Sequence, residues 1–168
     1  MFRSSKIMQS MRRFSTSTPN APEAYPGAMK AIHWGMATGI GGCVLFVKIA
    51  QTYNFKGNTK EDKANIGYYM RLHKSFGLMM AFLIIPRILV RRGSSLPSPV
   101  VGAAWEHMLA KIGHYSLYGF MLLLPSTGVA MGIFGGKGLP FFSYTIPGLS
   151  KPVPAVAKNA FKIHKQAG

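Results

Sequence analysis

The chain has 168 residues, of which 48% are hydrophobic and 14% are charged, and its formal net charge is +16. The apolar residues form long blocks, which are typical of a membrane protein and exclude an ordinary small soluble core. The basic residues flank these blocks and form no stripe interleaved with aromatic residues. We therefore expect acidic membrane lipid, and no nucleic acid, as the partner of this charge.

The first segment, residues 1–14, has the composition of a mitochondrial transit peptide. Four of its residues are basic, three are serine and none is acidic, and the first acidic residue of the chain is Glu23. Basic, serine-rich and acid-poor leaders direct proteins to mitochondria. We predict that this segment is removed, that disorder extends to about residue 25, and that the protein is located in the mitochondrial inner membrane. A basic tail without a targeting role is the alternative.

Three apolar blocks follow, at residues 31–53, 74–90 and 112–134. Each is close to the roughly 20 residues that a helix needs to cross a bilayer. Lys48 lies near the end of the first block, where its side chain can extend to the interface. We predict an all-α fold, a transmembrane helical bundle with three spanning helices in this chain, kinked at Pro86 and Pro125.

The segments between the blocks are polar or rich in glycine and proline. Residues 54–70 form a polar link, and residues 135–158 form a Gly/Pro segment that we expect at the membrane interface. With three crossings, the basic leader and the pair Arg91 and Arg92 lie on one side of the membrane. The excess of basic residues there predicts the matrix side, although the first link also contains lysines.

Four of the five histidines lie where a helix is predicted to begin. His33, His73 and His114 open the three apolar blocks, and His164 lies where a fourth helix would open. Successive helices start on alternate sides, so we expect His33 and His114 near one face and His73 and His164 near the other. Neutral imidazole binds haem iron through one nitrogen and donates a hydrogen bond from the other. The pattern predicts one or two haem b groups with these four histidines as candidate axial ligands of iron.

Each of these histidines also has a plainer interpretation. His33 and Trp34 suit an interfacial pair, His114 suits a packing residue with a hydrogen bond, and His164 lies among lysines like a solvated histidine. Zinc is disfavoured because Cys43 is the only cysteine and no carboxylate cluster accompanies the histidines. A nucleophilic triad lacks its acidic partner. The joint placement of four histidines favours haem over the separate explanations.

Several stretches together resemble the bacterial and hydrogenase-type cytochrome b561 family, which includes a bacterial superoxide oxidase. They are "AIHWGMA", "RLHKSFGLMMAFLIIPRIL", "AWEHMLAKIGHYSLYGFMLLLPSTGVAMG", "LPFFSYTIPGL" and "FKIHKQAG". The resemblance covers residues 26–168 and implies a four-helix membrane domain with two b-type haems. It implies His33 as a ligand from the first helix, His73 as one from the second, and His164 as the partner of His73 from the fourth. His114 matches a histidine of the third helix.

The resemblance places a further histidine, the partner of His33, beyond residue 168, so the domain is expected to stop before its fourth helix. Three explanations are open: the sequence is truncated, a partner subunit supplies the helix, or the chain is a haem-poor structural subunit of a larger respiratory complex. We expect a b-type cytochrome that relays electrons to or from ubiquinone, with superoxide as a donor by resemblance. The alternative is an accessory subunit with partial or no haem. A proton-relaying transporter ranks last, because the sequence shows no internal repeat.

Overall fold

The computed structural model describes residues 25–56, 59–94, 97 and 101–168, and of residues 55 and 56 the backbone alone. The predicted transit peptide lies outside these residues. The described elements, in chain order, are α1 (Gly27–Lys56), α2 (Lys60–Gly93), α3 (Ala104–Phe134), β1 (Leu139–Phe141), β2 (Tyr144–Ile146) and α4 (Pro154–Ala167). The helices α1, α2 and α3 are long and apolar enough to cross a membrane. This confirms the predicted helical bundle with three spanning helices.

Helix α2 begins well before its apolar block. The Thr59 hydroxyl accepts a hydrogen bond from the backbone N–H of Asp62 at 3.0 Å, and the Asp62 carboxylate accepts one from the backbone N–H of Thr59 at 3.3 Å. This reciprocal capping box satisfies backbone donors that the helix itself leaves unpaired. The prediction of a polar link over residues 54–70 is therefore wrong from residue 60 onward. Polar residues disfavour a buried helix, but they are compatible with an exposed one.

Helices α1 and α2 pack against each other through a small core. Met36 of α1 and Met80 and Ile84 of α2 are buried there. Gly39 of α1 makes this close approach possible, since a Cβ at that position would overlap the Met80 side chain. Many apolar side chains of α3, such as Leu117, remain exposed, as expected for a helix that faces lipid.

The segment after α3 forms a β-hairpin. Strands β1 and β2 are antiparallel, with Leu139 opposite Ile146 and Phe141 opposite Tyr144. Phe142, the first residue of the two-residue turn, has a φ of 50°, which is an outlier for a bulky side chain. Its backbone N–H donates to the hydroxyl of Ser75 on α2 at 2.8 Å. Ser75 thus holds the turn against α2.

Helix α4 begins at Pro154, which lies in its first turn. The sequence predicted a loop there and a helix that would open only at His164. That prediction is wrong. The backbone N–H groups of the first helical turn have no acceptor within the helix, so a proline there loses no helical hydrogen bond and is compatible with a helix start. His164 instead lies in the last turn of α4.

Candidate functional site

Helices α2 and α4 bring two imidazoles together. The ring centroids of His73 and His164 are 6.2 Å apart, and the rings are inclined at 87°. Two imidazoles that bind one metal from opposite sides through bonds of about 2.0 Å have centroids about 6 Å apart. The observed separation therefore suits a single metal ion held between the two rings.

The hydrogen bond of His73 determines which of its nitrogens is free. Its Nδ1 lies 2.9 Å from the backbone carbonyl oxygen of Cys43 on α1. A carbonyl can only accept, so Nδ1 carries the proton and Nε2 keeps its lone pair. A histidine that binds a metal through one nitrogen usually donates from the other in this way, which fixes the orientation of the ring.

The same arrangement is repeated at His164 with partners from α3. The His164 Nδ1 lies 2.9 Å from the Thr127 hydroxyl and 3.0 Å from the Leu124 carbonyl oxygen. The Thr127 hydroxyl has one proton and lies 2.8 Å from the Leu123 carbonyl oxygen, to which it donates. It therefore accepts from His164. Both imidazoles thus present Nε2 as a lone-pair donor.

Electrostatics favour the neutral form of His164. Burial lowers its pKa below the ordinary value, the nearby His73 lowers it further, and the hydrogen bond to the Leu124 carbonyl opposes both effects. The neutral ring is the form that can bind a metal. Gly128 of α3 lies beside the ring, at a position where a Cβ would be in van der Waals contact with Cε1 of His164, at 3.4 Å.

The other two candidate histidines have different surroundings. The Nδ1 of His33 lies 3.5 Å from a guanidinium nitrogen of Arg87, and its ring contacts Trp34 edge-on at 5.7 Å. Guanidinium only donates, so this contact leaves the proton on Nε2, the opposite tautomer to that of His73. His114 is exposed, and its Nδ1 lies 2.7 Å from the Ala110 carbonyl oxygen of its own helix. The structure brings His73 and His164 together and describes no contact between His33 and His114.

The sequence also matches a known protein family. The chain matches the family described as prokaryotic cytochrome b561 over residues 24–168. The chain belongs to the prokaryotic cytochrome b561 family. It is similar to cytochrome b561 homolog 1 of Escherichia coli (strain K12), with 29% identity over 91 residues that cover 52% of this chain and 52% of that protein. The match thus spans about half the length of this curated relative.

Membership in the cytochrome b561 family confirms the predicted resemblance. Together with the three apolar helices it identifies a multi-pass membrane protein, and it implies haem b as the cofactor. The described residues contain no group of three or more His, Cys, Asp or Glu side chains that could hold a metal ion. A pair of imidazoles is nevertheless a complete protein ligand set for haem, because the porphyrin supplies the other four nitrogens. The paired rings with free Nε2 atoms fit that group.

Sequence reasoning did not find the residues that orient the two rings of this b561-type site. The Cys43 and Leu124 contacts use backbone carbonyls, which have no side-chain signal. Thr127 lies on an apolar helix, where a threonine is usually explained by a hydrogen bond to its own helix. Arg87 was visible as a charge inside the second apolar block, and such charges are functional candidates.

Proposed function

We propose that this b561-family chain is a haem-dependent electron carrier of the mitochondrial inner membrane that exchanges electrons with the quinone pool. In this proposal His73 and His164 would together hold one haem b through their Nε2 atoms. The observation that supports it best is the 6.2 Å separation of two imidazoles whose Nδ1 atoms are both engaged in hydrogen bonds. Haem, when bound, supplies a ferrous–ferric couple that exchanges one electron at a time.

The residues around the pair have separate tasks in this proposal. The Cys43 carbonyl holds the His73 ring against α1, and Thr127 and the Leu124 carbonyl hold the His164 ring against α3. These hydrogen bonds keep each Nε2 unprotonated and increase the basicity of the ligand. Both rings are partly buried, which limits the access of water to them. The low dielectric of such a site raises the free-energy cost of a change in its net charge.

Ubiquinone and superoxide enter the proposal through the family resemblance. Ubiquinone dissolves in the bilayer, where it can reach a site on a membrane-spanning helix. Superoxide is a one-electron donor and matches the one-electron chemistry of haem. The acid-poor leader of residues 1–14 supports the mitochondrial location.

A second haem at His33 would need a partner imidazole from outside the described residues, and it would also need the His33 Nδ1 to give up its contact with Arg87, which keeps the proton on Nε2. A partner subunit of a larger respiratory complex is the proposed source. The Nε atom of Arg87 and the hydroxyl of Tyr118 are buried there without a hydrogen-bond partner among the described residues, and unpaired buried donors favour a bound group that can accept from them. The geometry alone supports one haem more directly than two.

The proposal is tested by a reduced-minus-oxidised spectrum of the purified full chain, with the haem content measured per chain. We expect low-spin b-type bands, and we expect H73A and H164A each to lose them because one axial ligand is removed. H107A is the matched control, since His107 is a histidine outside the pair, and it should leave the spectrum unchanged. A flat spectrum from well-folded wild-type chain would overturn the proposal and favour an accessory subunit without haem.

A further inference from the structure

A cleft lies between the first half of α2 and the tip of the hairpin. Its volume is about 750 Å³, and we call it the hairpin cleft. Lys63, Tyr68 and Arg71 of α2 form one wall, and Phe142 and Ser143 of the hairpin turn contribute to the other. The cleft therefore combines two cations with aromatic rings and a hydroxyl group.

The positive charge of the hairpin cleft has no acidic counterpart in its lining. The acid nearest along the chain, Asp62, is engaged with Thr59 in the capping box. Within the part of the chain that the structure describes, Lys63 and Arg71 have no ion pair. A guanidinium group without an acidic partner is suited to an anion, and phosphate oxygens match the donors of arginine in number and geometry.

The hairpin wall of the cleft is fixed in place. Ser75 is completely buried, with 0% of its surface exposed, and its hydroxyl accepts from the Phe142 backbone at 2.8 Å while lying 2.8 Å from the Arg71 carbonyl oxygen. The Phe142 ring also contacts Phe76 of α2 at 5.8 Å between centroids. The cleft thus exists before any ligand arrives, which lowers the entropic cost of binding.

The depth of the cleft along α2 places it at the lipid headgroups. Arg71 lies three residues before the apolar run of residues 74–90, whereas Lys63 lies about two turns further out, toward water. The hydrocarbon core of a bilayer is flanked on each side by a headgroup layer of roughly 5–8 Å. Arg71 lies near the border of this apolar run, and its long side chain can extend outward along the helix to the level of lipid phosphates.

The face of α2 below Arg71 is exposed and apolar. Phe82, Ile85 and Leu89 follow Arg71 by about three, four and five helical turns, which places them on the same face. They are 62%, 63% and 64% exposed. The inward face is separate, because His73 and the buried Met80 share the other side of the helix. A cationic cleft next to an exposed apolar stripe suits an anion that carries apolar chains better than it suits a small soluble anion.

We propose that the hairpin cleft binds the phosphate headgroup of an anionic phospholipid, whose acyl chains lie along Phe82, Ile85 and Leu89. Arg71 contacts the phosphate, Lys63 adds positive charge on the water side, and Tyr68 and Ser143 offer hydroxyl groups to the glycerol or headgroup oxygens. Basic pockets beside membrane helices bind acidic lipid headgroups by the same combination of charge and depth. This binding site is independent of the proposed haem, which lies on the opposite face of α2.

The test counts lipid molecules retained per chain by native mass spectrometry. The full chain is purified with its cofactor and titrated with phosphatidylglycerol or with phosphatidylcholine of the same acyl chains. We expect the full chain to retain phosphatidylglycerol in preference to phosphatidylcholine. This preference should fall about fivefold in K63Q, about fivefold in R71Q and about 25-fold in the double variant, because each surface cation contributes a similar factor to anionic-lipid binding. The matched controls are K60Q and R91Q, which remove a lysine and an arginine of the same helix outside the cleft.

Each remaining outcome would overturn the proposal. Equal binding of the two lipids would show that the cleft does not select an anionic headgroup. Equal losses in K60Q and K63Q would show a diffuse effect of surface charge. Full displacement of phosphatidylglycerol by inorganic phosphate would identify a site for a free anion, and displacement by ubiquinone would identify a quinone site. A circular dichroism spectrum of each variant excludes loss of fold as the cause.

Discussion

At the scale of single residues, the orientation of His164 depends on one hydroxyl group. The Thr127 hydroxyl and the Leu124 carbonyl oxygen share the proton of His164 Nδ1 at 2.9 and 3.0 Å. The carbonyl is part of the backbone and cannot be removed by substitution, whereas the hydroxyl can. Thr127 is 8% exposed, so its contact with His164 is shielded from water.

T127V keeps the shape of the side chain and removes this acceptor. We expect the reduction potential of the haem to rise by about 20–60 mV, because a ligand with one hydrogen bond fewer is less basic and stabilises ferric iron less. A spectroelectrochemical titration measures the shift. S126A is the control, because the hydrogen bond that the structure describes for the Ser126 hydroxyl goes to the Leu122 carbonyl of its own helix and not to His164. A similar shift in S126A would show that the effect comes from α3 and not from the bond to His164.

At the scale of elements, the hairpin is attached to α2 by the hydrogen bond to Ser75 and by the packing of Phe142 on Phe76. The hydroxyl of Ser75 accepts from Phe142, whose backbone adopts a strained positive φ of 50°. Strain of this kind persists only where the surrounding structure imposes it. The hydrogen bond to Ser75 is therefore one of the contacts that hold the turn in this conformation.

S75A should release the turn and leave the Phe142 N–H unsatisfied. We expect a loss of roughly 1–3 kcal/mol in the free energy of unfolding and faster hydrogen exchange in residues 139–146. S94A is the matched control, because the Ser94 hydroxyl also donates to the carbonyl four residues earlier in α2, at 2.6 Å, but contacts no hairpin. Unchanged exchange in the hairpin of S75A would contradict this account.

The sequence predicts some of these elements better than others. The spanning helices follow from the apolar blocks, because burial in lipid requires long continuous apolarity. The start of α2 was also readable, since Thr59 and Asp62 have the spacing of a capping box. The hairpin was not, because its attachment joins Ser75 to Phe142 across 67 positions of the chain. The expectation that His73 and His164 lie near one membrane face rested on both residues opening a helix. The structure brings the two rings together, although His73 lies inside α2 and His164 lies in the last turn of α4.

At the scale of the whole molecule, the fold distributes the positive charge between the two membrane faces differently from what the sequence predicted. The hairpin packs on the first half of α2, so Lys137 after α3 joins Lys60 and Lys63 at one end of the bundle. Lys151, before α4, adds to the same end. Arg91 and Arg92 lie at the other end. Basic residues close to the ends of spanning helices favour the inner side of a membrane. If the basic leader is removed as predicted, the hairpin end is the better candidate for the inner side, which is the matrix in the proposed location.

Single cysteines can test both the number of crossings and this orientation. In a C43A background, S143C lies in the hairpin turn and A103C lies at the start of α3, and both positions are exposed. C43A retains the backbone carbonyl that accepts from His73. With intact mitoplasts and an impermeant maleimide, we expect A103C to react at once and S143C only after permeabilisation, because α3 crosses the membrane between them. Reaction of both without permeabilisation would contradict the crossing by α3. The reverse order would keep the three-span fold and place the Arg91 and Arg92 end in the matrix, as the sequence alone predicted.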